Sequence, residues 1–288
     1  MRWQKFSKIT AGAVAICLLA GLAFAAVGGG PYKLAYRMKT GQRLKYMMDR
    51  NTESSMVMQG REMNSTTNGK IFIHLDIEEV GKDGSITFVS MLDSVLLRAN
   101  VPQMGDTTFK NPAELIGKRN RQVISAHGKK LKSAVVDTAK LTGMLAQIGS
   151  GLLSAFGLLE LPEKGVKLGD SWTDTTPDTI KQMGNKIVIM PNLAYTVAGE
   201  VDTLGYKCLR LAYSGTNKIK GEGTNMGMNF FIEGEGPGKG TAYFALQDGL
   251  LVAKISEGDM EMTVALTGQM SMTISQSVSE KETTLLVK

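Results

Sequence analysis

The sequence predicts a mainly β protein: a large curved antiparallel sheet or half-barrel of long strands, with one principal apolar helix. Three observations lead there. Between Asp259 and Ser279 the side chains sort by parity, with Met260, Met262, Val264, Leu266, Met270, Met272, Ile274 and Val278 on one face and Glu261, Thr263, Thr267, Gln269, Ser271, Thr273, Ser275 and Ser277 on the other. A period of two describes β-structure with one dry and one wet face. Similar alternating runs recur along the chain with turn signals between them. From Leu141 to Leu159 the period becomes helical, and no charge interrupts it.

At roughly 3.3 Å per residue the Asp259 to Ser279 run would extend about 70 Å, so it must curve or break. Gly268, at an inward position without a side chain, marks the place.

Residues 1–25 read as an export signal: Arg2, Lys5 and Lys8, an apolar run from Ile9 to Leu22, then Ala23-Phe24-Ala25 before Ala26. Retention as an uncleaved anchor is the alternative, although the run is near the lower length limit for spanning a bilayer. Cys17 does not make a lipoprotein site, because Ile16 stands where a small residue is expected. Residues 26–31 form a linker and residues 32–288 a single β-rich domain. The same stretch can be divided into two pseudo-repeated halves, 32–137 and 165–288, joined by the helix at 138–161.

In the first half, Leu44, Tyr46 and Met48, then Met56 and Met58, alternate as a strand that frays into the polar stretch Gln59 to Gly69. Ile71, Ile73, Leu75 and Ile77 share the next strand's face, Lys82-Asp83-Gly84 turns the chain, and Ile86 to Leu97 returns it. A loop through Pro102, Gly105 and Pro112 precedes a second hairpin around His127-Gly128. The helix has Leu141, Leu145, Ile148, Leu152, Phe156 and Leu159 at its spacing, Asp137 as N-cap, Val136 placed to staple against Leu141, and Pro162 as its stop. A helix this apolar is buried or meets something other than water.

The second half reads as a meander: Leu193, Tyr195, Val197 and Val201; Leu209, Leu211 and Tyr213; Met226, Met228, Phe230 and Ile232; then Ala242, Phe244 and Leu246. The glycines from Gly234 to Gly240 read as a loop between strands.

Removing Arg2, Lys5 and Lys8 leaves 30 basic against 27 acidic residues, a near-neutral balance that argues against a nucleic-acid partner. The basic cluster from Lys118 to Lys132 reads as solvated strand ends. One cysteine, Cys208, remains beyond the leader, so no internal disulfide is expected. Gly234 to Thr241 fails as a phosphate loop because Gly240, not Ser or Thr, follows Lys239. His74 and His127 are the only histidines and read as surface residues, Cys208 as a small buried side chain, and Trp172 as a core anchor. Glu78-Glu79 and Asp259-Glu261 fit no calcium pattern. No cofactor, metal site or catalytic residue is expected.

The leader, Tyr32-Lys33-Leu34 with Gly41, Leu161-Pro162 followed by Gly169-Asp170-Ser171-Trp172, and Gly205-Tyr206-Lys207-Cys208 resemble an uncharacterised family of secreted bacterial β-rich proteins. At the level of fold, long curved strands with an apolar helix are similar to the lipoprotein-carrier (LolA-like) half-barrels. The resemblance implies no activity.

From the residues themselves the leading expectation is an exported, non-enzymatic protein of the periplasm or outer surface of a bacterium. It would bind a lipid, another hydrophobic ligand or a lipidated partner in a groove between sheet and helix, with peripheral membrane contact as a further expectation. The lining residues are Leu145, Ile148, Leu152 and Phe156 from the helix and Met260, Met262, Met270 and Met272 from the sheet. The alternative is a cell-envelope structural or protein-interaction module with a self-filled core.

Overall fold

The computed structural model describes residues 31–58, 60–101, 105–137, 157–182, 185–225, 228–268 and 271–287. The described residues build one antiparallel sheet of 13 strands: β1 (Arg43–Met58), β2 (Arg61–Val80), β3 (Ile86–Val101), β4 (Gly105–Lys110), β5 (Arg119–Ile124), β6 (Lys130–Val135), β7 (Ser171–Asp174), β8 (Asp178–Gln182), β9 (Asn185–Thr203), β10 (Tyr206–Asn225), β11 (Met228–Ala245), β12 (Leu250–Thr267) and β13 (Met272–Val287). The strand order is β6-β5-β3-β2-β1-β13-β12-β11-β10-β9-β7, with β4 beside β3 and β8 beside β9. The sheet is open, and its ends curl toward each other until Lys130 Nζ on β6 meets Asp178 Oδ2 on β8 at 2.6 Å. The long strands follow from residue choice. Apolar and polar side chains alternate along the core-facing end of each, and Gly84 and Leu204-Gly205 supply the positive φ that tight turns between them need.

The first and last strands meet in the middle of the sheet, where β1 lies between β2 and β13 with Lys45 opposite Val287. At this end of the strands the concave face is closed. Tyr46, Leu75, Leu209, Leu211 and Phe244 are at most 1% exposed, and residues 31–38 and 157–170 cross beneath them. Tyr36 donates its backbone N–H to Ala126 (2.8 Å) and its hydroxyl to the Leu159 carbonyl (3.1 Å), while Leu161 N–H donates to His127 (2.7 Å). Gly128 is obligatory there: its φ is +84°, and a Cβ would come 2.1 Å from the Leu159 oxygen.

Several expectations need correction. The helix expected at 138–161 falls mostly on residues 138–156, outside the described residues. Its last five, Gly157 to Leu161, form no helix, because Leu159 and Leu161 are buried in the core while their backbones bond Tyr36 and His127. Asp137, the expected N-cap, instead receives the Arg119 guanidinium at 2.8 Å. The polar stretch from Arg61 to Gly69 is strand, paired to β1 as far as Met58 opposite Arg61. The loop after Pro102 contains β4. Gly268 does not bend one strand but ends β12, so the two-faced run folds on itself with Leu266 opposite Met272. Partners across the turn share parity, so both halves keep one apolar face. Val201 departs from the face of Tyr195 and Val197 because Ala198 bulges between Val197 and Gly199.

Candidate functional site

Directly opposed residues of an antiparallel sheet share a face, so the concave surface can be followed row by row. The first row above the closed core is aromatic and ionic: Trp172, Tyr195, Tyr213, Gly240, Ser256, Glu282 and Arg50 across seven strands. Trp172 stacks on Tyr195 at 5.3 Å, as befits a core anchor, and Tyr195 leans on Tyr213 at 4.9 Å. Arg50 bonds Glu282 through Nε (2.9 Å) and Nη2, and Glu280 lies 3.7 Å away. Burial raises the pKa of Tyr213, against a side-chain hydrogen bond with Ser256. Its ring lies across Gly240, where a Cβ would come 2.5 Å from the hydroxyl oxygen.

The next row is Asp174, Leu193, Gly215, Gly238, Gly258, Glu280 and Thr52. Two carboxylates thus flank three successive glycines. Burial raises the pKa of Asp174, against the Thr176 N–H that stabilises its anion. Burial likewise raises that of Glu280, against the pull of Arg50. Lys254, two rows nearer the core opposite Thr284, acts electrostatically on both.

Beyond this belt the wall turns apolar. Met260 pairs with Val278; Met63, Met56, Gln276, Met262, Gly234, Ile219 and Ile189 form one row; Ile274, Val264, Ile232, Gly221 and Ile187 form another; Met272, Leu266 and Phe230 follow. These side chains are half-buried, whereas Glu261, Thr263, Thr273 and Ser275 on the other face are exposed. Polar side chains interrupt the wall at Gln276, whose amide donates to the Ser54 hydroxyl at 2.8 Å, and at Ser54, Ser65 and Asn217 in the Met260 row.

The glycines expected as a loop are inside β11. Gly234, Gly236, Gly238 and Gly240 alternate, so all four project to the concave side and remove side chains from it. Gly236 has no alternative, since a Cβ would sit 1.9 Å from the Asp259 oxygen.

Of the expected lining residues, Met260, Met262 and Met272 lie on the apolar wall; Met270, Leu145, Ile148, Leu152 and Phe156 lie outside the described residues. The acid–aromatic belt was not anticipated. Its signal, Trp172 and Asp174 at the parity that places both inward, was legible only with the strand pairing known. His74 is not a surface residue. Its Nδ1 meets Asp93 at 2.6 Å on the convex face, with Asp76, held by Arg43, beyond its other nitrogen. Cys208 is buried, and burial pushes its thiol up to about 11. A convex groove of about 550 Å³ runs over Val188, Met190 and Phe231. Its rim includes the ion pair Lys220–Glu233 at 3.0 Å. It is short and mixed where the concave wall is continuous from β2 to β9, and the concave wall is the better candidate.

Neither a family model nor a curated protein sequence matches the chain. Among solved structures, the fold is similar to lipovitellin, in a structure concerned with lipid–protein interactions, with a TM-score of 0.51, 10% identity, and coverage of 88% of this chain and 26% of that one. The chain therefore spans about a quarter of that protein's length. An outer membrane channel from Pseudomonas putida F1 matches with a TM-score of 0.28 and 10% identity over 91% of this chain and all of that one, too slight a likeness to carry an argument. The first likeness concerns the large open β-sheet alone; likeness to lipoprotein carriers is not shown.

Proposed function

We propose that this is an exported, non-enzymatic protein of the bacterial envelope that holds a lipid or other hydrophobic ligand on the concave wall of its sheet. One observation carries the reading: along the same strands the concave face passes from a filled core to a half-exposed apolar surface, while on β12 and β13 the opposite side chains Glu261, Thr263, Thr273 and Ser275 are exposed and charged or hydroxylic. Apolar side chains left in water are favourable to cover. Each methylene of an acyl chain removed from water contributes about 0.8 kcal/mol, so ten supply about 8 kcal/mol, micromolar affinity before association costs. The lipovitellin-like fold is compatible with such a use, and fold alone does not establish it. Binding rather than catalysis is favoured because the Cys208 thiol is buried and protonated and His74 is tied into a carboxylate cluster away from the wall.

The test uses N-phenyl-1-naphthylamine, an apolar fluorophore. The protein is expected to bind it at micromolar concentration, Met262→Asp to weaken binding at least tenfold, and Thr263→Asp, one residue along on the convex face, to leave it unchanged. Equal effects of the two substitutions, or no binding, would favour a self-filled envelope module instead.

A further inference from the structure

The two ends of the sheet offer different surfaces to their surroundings. At the closed end the turns between strands carry Lys82, Asp83 and Asp248. At the other end five hairpins finish, from Met58 opposite Arg61 to Leu266 opposite Met272, and of the ten paired residues that end them only Arg61 is charged. The concave wall runs out to this end, where Phe230, Leu266 and Met272 are half-buried.

The convex face has apolar side chains at this end as well. Val57, opposite Glu62 and Ser275, is 45% exposed, and Phe231, opposite Glu222 and Ala265, is 51% exposed. Val188 and Met190 lie beside Phe231 along the convex groove, and Lys220 is tied to Glu233 at its rim. A rigid protein partner meets one face of such a strand end and leaves the other in water. A fluid of head groups and acyl chains covers both faces, and it also accepts side chains such as Lys220, whose stem can lie on apolar surface while its ammonium stays among polar groups. The depth agrees. Val57 is one residue from the end of β1 and Phe231 three from the start of β11, so at about 3.3 Å per residue both lie within about 10 Å of the strand tips. Interfacial elements bury their apolar face to a similar depth, roughly 5–10 Å, at the boundary of head groups and chains.

Resting on the proposal that the concave wall holds a hydrophobic ligand, we propose that this open end of the sheet docks on a lipid bilayer, with Val57 and Phe231 entering the boundary between head groups and acyl chains. The last row of the wall then faces the chains of the bilayer, and a ligand passes between bilayer and wall without crossing water. The closed end, with its charged turns, stays in solution.

The experiment mixes the full protein with vesicles of dioleoylphosphatidylcholine, plain or brominated on the acyl chains, and reads the quenching of tryptophan by bromine. Phe231→Trp and Val57→Trp place a reporter at the open end. Leu204→Trp places one at the closed end on a side chain of similar exposure, 48%. The signal of the parent protein, which holds Trp3 and Trp172, is subtracted from each. Quenching at positions 57 and 231 is expected to exceed that at 204 at least threefold. Adding Val57→Asp to Phe231→Trp is expected to lower it at least twofold and to leave N-phenyl-1-naphthylamine binding unchanged, because residue 57 faces away from the wall. Equal quenching at both ends, or none at 57 and 231, would overturn the docking end, and dye binding would still report on the wall by itself. Absence of quenching in a protein that is dimeric and that Phe231→Asp makes monomeric would overturn it in favour of a second copy of the chain. Quenching at 57 and 231 without dye binding would uphold the docking end and overturn the wall.

Discussion

The two ends of β12 differ in their surroundings, and a bulge opposite Tyr243 and Phe244 shifts the inward parity between them, so that Leu251 faces in at one end and Met260 at the other. From Leu250 to Ala253 every side chain is buried, at most 6% exposed, whereas Met260, Met262 and Val264 are only half-buried. Parity decides which way a side chain points. What lies across from it decides whether it is core. At the first end residues 31–38 and 157–170 fill the curl of the sheet; toward the other, the strands outrun those segments. The Arg50–Glu282 row separates the two regimes.

The widest gap in stability should separate Tyr46 from Met262. Tyr46→Ala removes a fully buried ring and its hydroxyl bond to Leu251 (3.0 Å), a loss of about 3–5 kcal/mol. Met262→Ala should cost under about 1 kcal/mol in urea unfolding, as expected of a partly exposed site. A comparable loss at both positions would mean that the wall is core. At the boundary, Arg50→Ala leaves Glu282 buried without its cation and should cost about 3–5 kcal/mol at neutral pH. The glycine rows offer a finer contrast: Gly236→Ala forces a Cβ against the Asp259 carbonyl and should destabilise by about 1–3 kcal/mol. Gly258→Ala, whose nearest heavy atom would be the Pro237 oxygen at 3.2 Å, should cost much less.

The smallest effect concerns pH. Glu280 has a raised folded pKa, so it binds a proton more readily folded than unfolded, and its contribution to stability is lost as pH rises through that pKa. Glu280→Gln should therefore raise the melting temperature by about a degree or two at pH 7 and leave it unchanged near pH 3. A variant less stable at pH 7 would show that Arg50 depends on Glu280 more than its 3.7 Å separation implies.

Much of the sheet was legible because its strands obey a period of two for so long. The parity of Met260 through Val278 survived even the misplacement of the turn, since hairpin partners keep a common face. Three things were hidden for physical reasons. Pairing of β1 with β13 joins residues over 200 positions apart, and no local pattern encodes it. The glycines of β11 resemble a loop by composition, although their even spacing was the sign of a strand stripped of inward side chains. His74 lies on the polar-looking face of its strand yet is buried, because Asp76 and Asp93 surround it. The acid–aromatic belt needed both the pairing of β7 with β9 and the inward parity of Asp174, neither available from spacing alone.

The most direct test of the open hydrophobic wall is native mass spectrometry of the full protein purified from envelope extracts without detergent, with solvent extraction of the same sample. The account predicts a bound amphiphile in near-stoichiometric amount on the wild type and its loss from Met262→Asp but not from Thr263→Asp. A wild-type protein at its bare polypeptide mass, yielding no lipid on extraction and taking none up from added amphiphile, would contradict it.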